Sequence, residues 1–207
     1  MHDINGKKAD YSLIIDFVEQ GSKVLDLGCG DGALLRSLID QKQVRGRGVD
    51  IDEENVIAAI NKGVSVFQLN IDEGLADYQD NSFDYVILNQ TIQEVAKPDL
   101  VVEEMLRVGK KVVVSFPNFG NIKLLLYMLF CGKMPKSKQL PFEWYDTPNI
   151  HFLTVNDFRS FCRTQGIQII KEVYLTGERL QEPRWFNRPF VNWIVDEALF
   201  VISKDLS

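Results

Sequence analysis

The sequence predicts a doubly wound α/β domain built on a mostly parallel sheet. Three observations carry that prediction. The run Val24-Leu25-Asp26-Leu27-Gly28-Cys29-Gly30-Asp31-Gly32 passes from apolar chain into a turn in which glycines alternate. Strand-like and helix-like segments then alternate along the chain, which implies parallel strands joined by right-handed crossovers. The strand-like segments are continuous apolar runs, as expected of strands covered on both faces.

The elements follow in order. A first helix is expected near Asp10–Gln20, with Asp10 as its cap. Strand one runs near Lys23–Leu27, and the glycine turn leads into a helix from Ala33 to about Asp40. Strand two is expected near Gly46–Asp50, followed by a helix over Glu53–Asn61 that Asp52 caps. Strand three covers Val64–Leu69 and strand four Phe83–Asn89. Pro98 suits the first turn of a helix over Asp99–Val108. Strand five covers Lys111–Phe116. A helix near Val155–Gln165 ends at Gly166. Strands six and seven are Ile167–Tyr174 and about Glu197–Ile202. No inter-domain linker interrupts the pattern, so residues 1–207 are read as one domain. Two inserts break its regularity: Pro117–Ile150, with a helix at Ile122–Phe130, and Thr176–Val195, with Trp185, Phe186, Phe190 and Trp193.

Bulk composition narrows the function. The chain has 207 residues, is 45% apolar and has a formal net charge of −6. No stretch interleaves clustered Lys and Arg with aromatics, so nucleic acid is not an expected partner. Cys29, Cys131 and Cys162 are too scattered for a disulfide framework and point to reduced thiols and a cytoplasmic location. Histidines stand only at His2 and His151, without metal-ligand spacing, and no metal is expected. The amino terminus is polar, so no signal peptide is expected. Leu124–Cys131 is apolar but too short to span a bilayer, and no membrane partner is expected.

Charge selects the ligand of the glycine turn. Gly28, Gly30 and Ala33 satisfy a loose dinucleotide fingerprint. A dinucleotide would lay its pyrophosphate on the helix N-terminus, where Asp26 and Asp31 would repel it. S-adenosylmethionine carries an ammonium and a sulfonium and no phosphate, so the same acids attract it. This disfavours a dinucleotide-dependent oxidoreductase. Asp50 follows the turn by about 20 residues, where an acid takes ribose hydroxyls. Asp52 competes for that role but better suits the helix cap.

At these residues the chain resembles a family. Val24–Gly32 is similar to the first motif of class I S-adenosylmethionine-dependent methyltransferases, Gly48–Asp50 to their ribose motif, and Asn81–Leu88 to their fourth strand. Within that fold it resembles the MetW methionine-biosynthesis proteins. The resemblance rests on Asn89-Gln90-Thr91-Ile92-Gln93-Glu94-Val95, on Ser115-Phe116-Pro117-Asn118-Phe119-Gly120, and on Leu140–His151 with its Pro-Phe-Glu-Trp-Tyr-Asp-Thr-Pro-Asn-Ile core. It implies a seven-stranded sheet of order 3-2-1-4-5-7-6 with an antiparallel last strand. It also implies S-adenosylmethionine or S-adenosylhomocysteine as ligand. Asp26, Gly28 and Gly30 would line the methionyl half and Asp50 the ribose, with Ile51 also among the cofactor-binding residues. Asn70, Ile71 and Asp72 would line the adenine, with either Asn70 or Asp72 as its acceptor. Asn89 would stand near the transferable methyl.

Two functions fit. The resemblance implies a cofactor-binding protein of methionine biosynthesis that supports homoserine O-acyltransferase. The alternative is a small-molecule methyltransferase. Attack by a hydroxyl or amine calls for a proton acceptor, and Glu94, Glu143, Tyr145, Asp146 and His151 are the candidates. None stands in a strong catalytic pattern, which favours the accessory reading.

Overall fold

The computed structural model describes residues 4–137, 140–177, 179–181 and 190–204. Strands β1 (Lys23–Leu27), β2 (Arg45–Asp50), β3 (Val66–Gln68), β4 (Phe83–Asn89) and β5 (Gly109–Pro117) run parallel, with β1 between β2 and β4. β6 (Ile167–Thr176), β7 (Arg179–Gln181) and β8 (Glu197–Lys204) complete one sheet of order β3-β2-β1-β4-β5-β8-β6-β7. β8 runs antiparallel to both β5 and β6. The expected seven-strand order is therefore present. The addition is the short edge strand β7, which forms a hairpin with the end of β6 inside the segment read as the second insert.

Side-chain alternation along the strands builds a core on each face. Val24, Tyr85, Ile87, Val113, Leu199 and Val201 point to one side, where α1 (Ile4–Phe17), α2 (Ala33–Lys42) and α3 (Glu53–Asn61) supply Leu13, Ile14, Leu35, Leu38 and Ala59. Their in-chain neighbours Leu25, Val86, Leu88, Val112, Val114 and Phe200 point to the other. There α4 (Pro98–Val108) and α6 (Val155–Thr164) supply Val102, Met105, Phe158 and Cys162. This two-sided burial is why the strands read as unbroken apolar runs.

Helix ends follow local chemistry. Asp52 caps α3 as expected, its carboxylate accepting from the Glu54 and Asn55 amides. Thr154 and Asp157 form a reciprocal capping box at α6. Two boundaries differ. The first helix spans Ile4–Phe17, so Asp10 lies inside it rather than at its cap, and the chain turns at Gly21 in the left-handed region. Strand three is shorter than expected, because the Val64 amide donates to Ala59 O at the end of α3 and leaves Val64 outside the ladder.

The segment after β5 behaves differently from every other. Asn118 and Asn121 fasten its first turn to the chain before β8. The Asn118 amide group donates to Asn192 O and Val195 O, both at 2.8 Å, and that of Asn121 to Asp196 Oδ1 at 2.8 Å. Helix α5 (Ile122–Cys131) then leaves the body of the protein with no buried residue. Opposite its start lies α7 (Val191–Ile194), one turn long. Phe190 at its cap and Trp193 within it are exposed, while Trp185 and Phe186 lie outside the described residues.

Candidate cofactor-binding site

The carboxyl ends of β1, β2 and β4 meet where the strand order reverses, the place an open α/β sheet offers to a ligand. β1 ends in the glycine turn. Gly28, Gly30 and Gly32 all adopt left-handed φ, at +66°, +55° and +72°. Their surroundings differ. A Cβ at Gly32 would approach Ala59 Cβ to 2.9 Å, so this glycine lets α3 pack closely. A Cβ at Gly28 would meet Thr91 of the loop after β4 at 2.7 Å. Over Gly30 there is open space, so the turn presents bare backbone to whatever lies above it.

Two acids flank that opening. Asp26 is buried, and neither carboxylate oxygen has a hydrogen-bond partner. Burial, reinforced by the negative charge of Asp50, pushes its pKa up to about 8. Asp50 is also buried but well partnered. Its Oδ2 accepts from the Gly30 amide at 2.7 Å, and its Oδ1 from the Asp52 amide at 3.0 Å and the Asn55 side chain at 3.3 Å. Asp50 thus clamps the glycine turn onto the end of β2. Asp31, counted with Asp26 in the charge argument, pairs with Lys62 and accepts from the Ala33 amide. The negative charge of the lining therefore resides chiefly in Asp50, while burial holds Asp26 largely protonated near neutral pH. The thiol of Cys29 is pushed strongly upward by burial and by both acids, which keeps it a neutral packing group against Gly48.

Ile51 projects from the end of β2 and is 64% exposed, whereas Ile71 is buried. Asn70 caps a short 3-10 turn, Ile71–Glu73, accepting from the Asp72 amide at 3.1 Å. The Asp72 carboxylate turns the other way and accepts from the Ala96 and Lys97 amides at 3.1 and 2.9 Å. It anchors the entry to α4.

The loop after β4 holds a network that sequence reasoning missed. Parallel register sets Asn89 beside Ser115. The Ser115 hydroxyl donates to Asn89 Oδ1 at 2.5 Å and accepts from the Gln90 amide at 3.0 Å. Gln90 sits at φ +53°, uncommon for a residue with a side chain, and its side chain donates to Glu197 at 3.2 Å. The available signal was a polar residue at the carboxyl end of each of two adjacent apolar strands. Gln93 is buried, its Oε1 has no partner, and its carbonyl accepts from the Ile150 and His151 amides at 2.8 and 3.0 Å. This ties the far end of the first insert to the loop.

The acid–base candidates do not converge. Glu94 is exposed at the end of that loop. Tyr145 is 71% exposed and meets Trp144 edge to face. Glu143 pairs with Lys136 at 2.7 Å, and Asp146 accepts from the Glu143 amide at 2.7 Å. His151 buries Nε2 without a partner and lines an apolar cavity of about 330 Å³ between α4 and α6, with Ile92, Phe158 and Phe161. A wider groove of about 410 Å³ opens at the opposite, amino-terminal edge of the sheet, among Lys23, Arg45, Arg47 and Tyr78, and contains no expected site residue.

The family model of the methionine biosynthesis protein MetW matches residues 8–202. The chain belongs to the MetW family. It is 35% identical over 205 residues to the bifunctional methionine biosynthesis protein MetXA/MetW of Rhodopirellula baltica, covering 95% of this chain and 33% of that one. This MetW chain thus spans about a third of that relative's length. It is 28% identical over 192 residues to the ubiquinone biosynthesis O-methyltransferase of Cupriavidus pinatubonensis, covering 88% of this chain and 74% of the other. Among solved structures it is similar to a SAM-dependent methyltransferase, possible histamine N-methyltransferase, from Thermotoga maritima, with TM-score 0.70, 17% identity and coverage of 97% and 90%. The fold is thus that of class I methyltransferases, and the chain is a methyltransferase-fold protein of methionine biosynthesis. Among the described residues no helix is long and apolar enough to cross a membrane.

Proposed function

We propose that this chain binds S-adenosylmethionine in the crevice over Gly28 and Gly30 and supports a homoserine O-acyltransferase in methionine biosynthesis. The observation that carries the partner is the relative in which MetXA and MetW form one polypeptide. Two modules held on one chain meet at high effective concentration, as partners in a shared task do.

The residues present suit the ligand. Asp26 offers two unpartnered buried oxygens, an unfavourable state that a cationic ammonium relieves. Open space above a left-handed Gly30 admits the methionyl chain against bare backbone. Asp50 offers the carboxylate for ribose hydroxyls at the end of β2, and exposed Ile51 offers an apolar surface for the adenosyl group. When bound, S-adenosylmethionine supplies a transferable methyl on a sulfonium. In the accessory reading it acts as a signal of downstream product, and by linkage its affinity and the partner's change together.

A small-molecule methyltransferase is the second reading, favoured by the similarity to ubiquinone biosynthesis O-methyltransferases. Glu94 and Tyr145 being exposed, and His151 facing its own cavity, weigh against it. Calorimetric titration of S-adenosylmethionine, alone and with homoserine O-acyltransferase, tests the proposal. Binding with an altered affinity in the presence of the partner is expected. No binding of the ligand refutes the cofactor assignment, and no association with the acyltransferase refutes the partner.

A further inference from the structure

Helix α5 violates the usual rule for helices on a globular surface. Nine of its ten residues are apolar, Lys123 being the exception, and none is buried. Leu129 and Phe130 are 72% and 79% exposed. An ordinary surface helix buries one apolar stripe and turns a polar face to water. This one has no polar face to turn.

The exposed apolar surface continues beyond the helix, and the hydrogen bonds show how. The Asn118–Asn121 turn carries α5 and is fastened to residues 192–196, so Phe190 and Trp193 stand beside the helix start. Phe119 in the same turn meets Phe152 edge to face, with centroids 4.8 Å apart. The Lys136–Glu143 pair brings Trp144 and Tyr145 back beside the chain that leaves α5. Phe130, Trp144, Tyr145, Phe152, Phe190 and Trp193 are each between 51% and 79% exposed. At roughly 150–250 Å² per aromatic side chain, these six expose roughly 600–950 Å², one partner's share of a standard interface. Soluble monomers rarely leave so much apolar surface together.

We infer that this face, α5 with residues 142–152 and 190–194, is where the homoserine O-acyltransferase docks. The inference rests on the partner proposed above and adds the surface. Fusion of the two modules in the Rhodopirellula relative argues for that occupant over a second copy of this chain or a membrane. Enrichment in Trp, Tyr, Phe and Met with few charges is the composition of an interface core. The position agrees. The segment leaves the carboxyl end of β5, and its far end is held by the Gln93 carbonyl in the loop after β4. A protein seated there stands at the same sheet edge as the glycine turn. Lys123 and Lys133 border the apolar residues and Asp146 lies in the second segment, so the partner surface is apolar with a margin of mixed charge.

The test uses the full chain and purified homoserine O-acyltransferase. The variants are Leu129→Asp with Phe130→Asp, Trp144→Ala, and Ile60→Asp on α3 as a control exposed elsewhere. The first two sets are expected to weaken the complex by about thirtyfold or more, as loss of central anchors does. Ile60→Asp should leave it intact, and all should bind S-adenosylmethionine like the parent, which reports folding. If the parent binds and the α5 variant binds equally well, the surface is wrong and the partner stands. If the parent does not bind, the partner reading fails and this inference with it. The parent alone is expected to be monomeric and to ignore anionic phospholipid vesicles. Dimerisation or vesicle binding that the α5 substitutions abolish assigns the face to another occupant and overturns the inference.

Discussion

Replacing Asp26 by Asn removes a buried ionisable group while keeping its shape. In the folded protein this carboxyl is raised to about 8 from an ordinary value near 3.8. A raised acid means that the folded state holds a proton that the unfolded chain has already released. Its contribution to stability is therefore largest at low pH and is lost as pH rises toward 8. The slope approaches about 1.4 kcal/mol per pH unit, so between pH 6 and 8 the ligand-free parent should lose about 2 kcal/mol through this group. The Asn variant lacks that loss. Groups remote from Asp26 contribute equally to both proteins, so the parent-minus-variant difference reports Asp26 together with the groups coupled to it. Urea unfolding of the ligand-free proteins at pH 6, 7 and 8 measures it. Parallel pH profiles would refute the claim that Asp26 is protonated because it is buried and unpartnered. The same reasoning reaches the ligand. An ammonium beside Asp26 favours its carboxylate, so binding S-adenosylmethionine at pH 7 should release about 0.9 of a proton more from the parent than from the variant. Calorimetry in buffers of different ionisation enthalpy reads that number directly.

Three further perturbations separate binding from folding. Asp50→Ala removes the acceptor of the Gly30 amide and the proposed ribose ligand, and should weaken S-adenosylmethionine by about 1–3 kcal/mol in a calorimetric titration. Gly32→Ala places a methyl 2.9 Å from Ala59 Cβ at a left-handed φ, and should destabilise the fold by about 1–3 kcal/mol in thermal or denaturant unfolding. Arg159 pairs with Glu172 at 2.7 Å and reaches the Tyr174 hydroxyl at 2.7 Å. Arg159→Ala leaves the 92% buried Glu172 without that countercharge, and should cost about 3 kcal/mol with cofactor affinity unchanged.

How much of this was legible without coordinates differs by feature. Strand and helix identity was readable wherever the signal is local. Asp52 capping α3 and the two-sided apolar strands are cases, since their causes lie within a few residues. Boundaries set by competition were not readable. Val64 reads as strand, yet its amide goes to Ala59 O at the end of α3 rather than into the ladder. The edge strand β7 was invisible for a similar reason. Three residues carry no periodicity, and their pairing depends on the turn that returns them to β6.

The same division runs through the candidate site. Residue order alone places the glycines, Asp26 and Asp50 at the ends of the first two strands, because a parallel α/β order leaves that edge no other arrangement. What each carboxylate does depends on contacts made by the folded chain. Asp50 meets three donors, Asp72 turns to the start of α4, Asp31 is drawn to Lys62, and Asp26 meets no donor at all. Ionisation and hydrogen bonding depend on which groups distant in the chain arrive within about 3 Å, and spacing along the chain does not encode that distance.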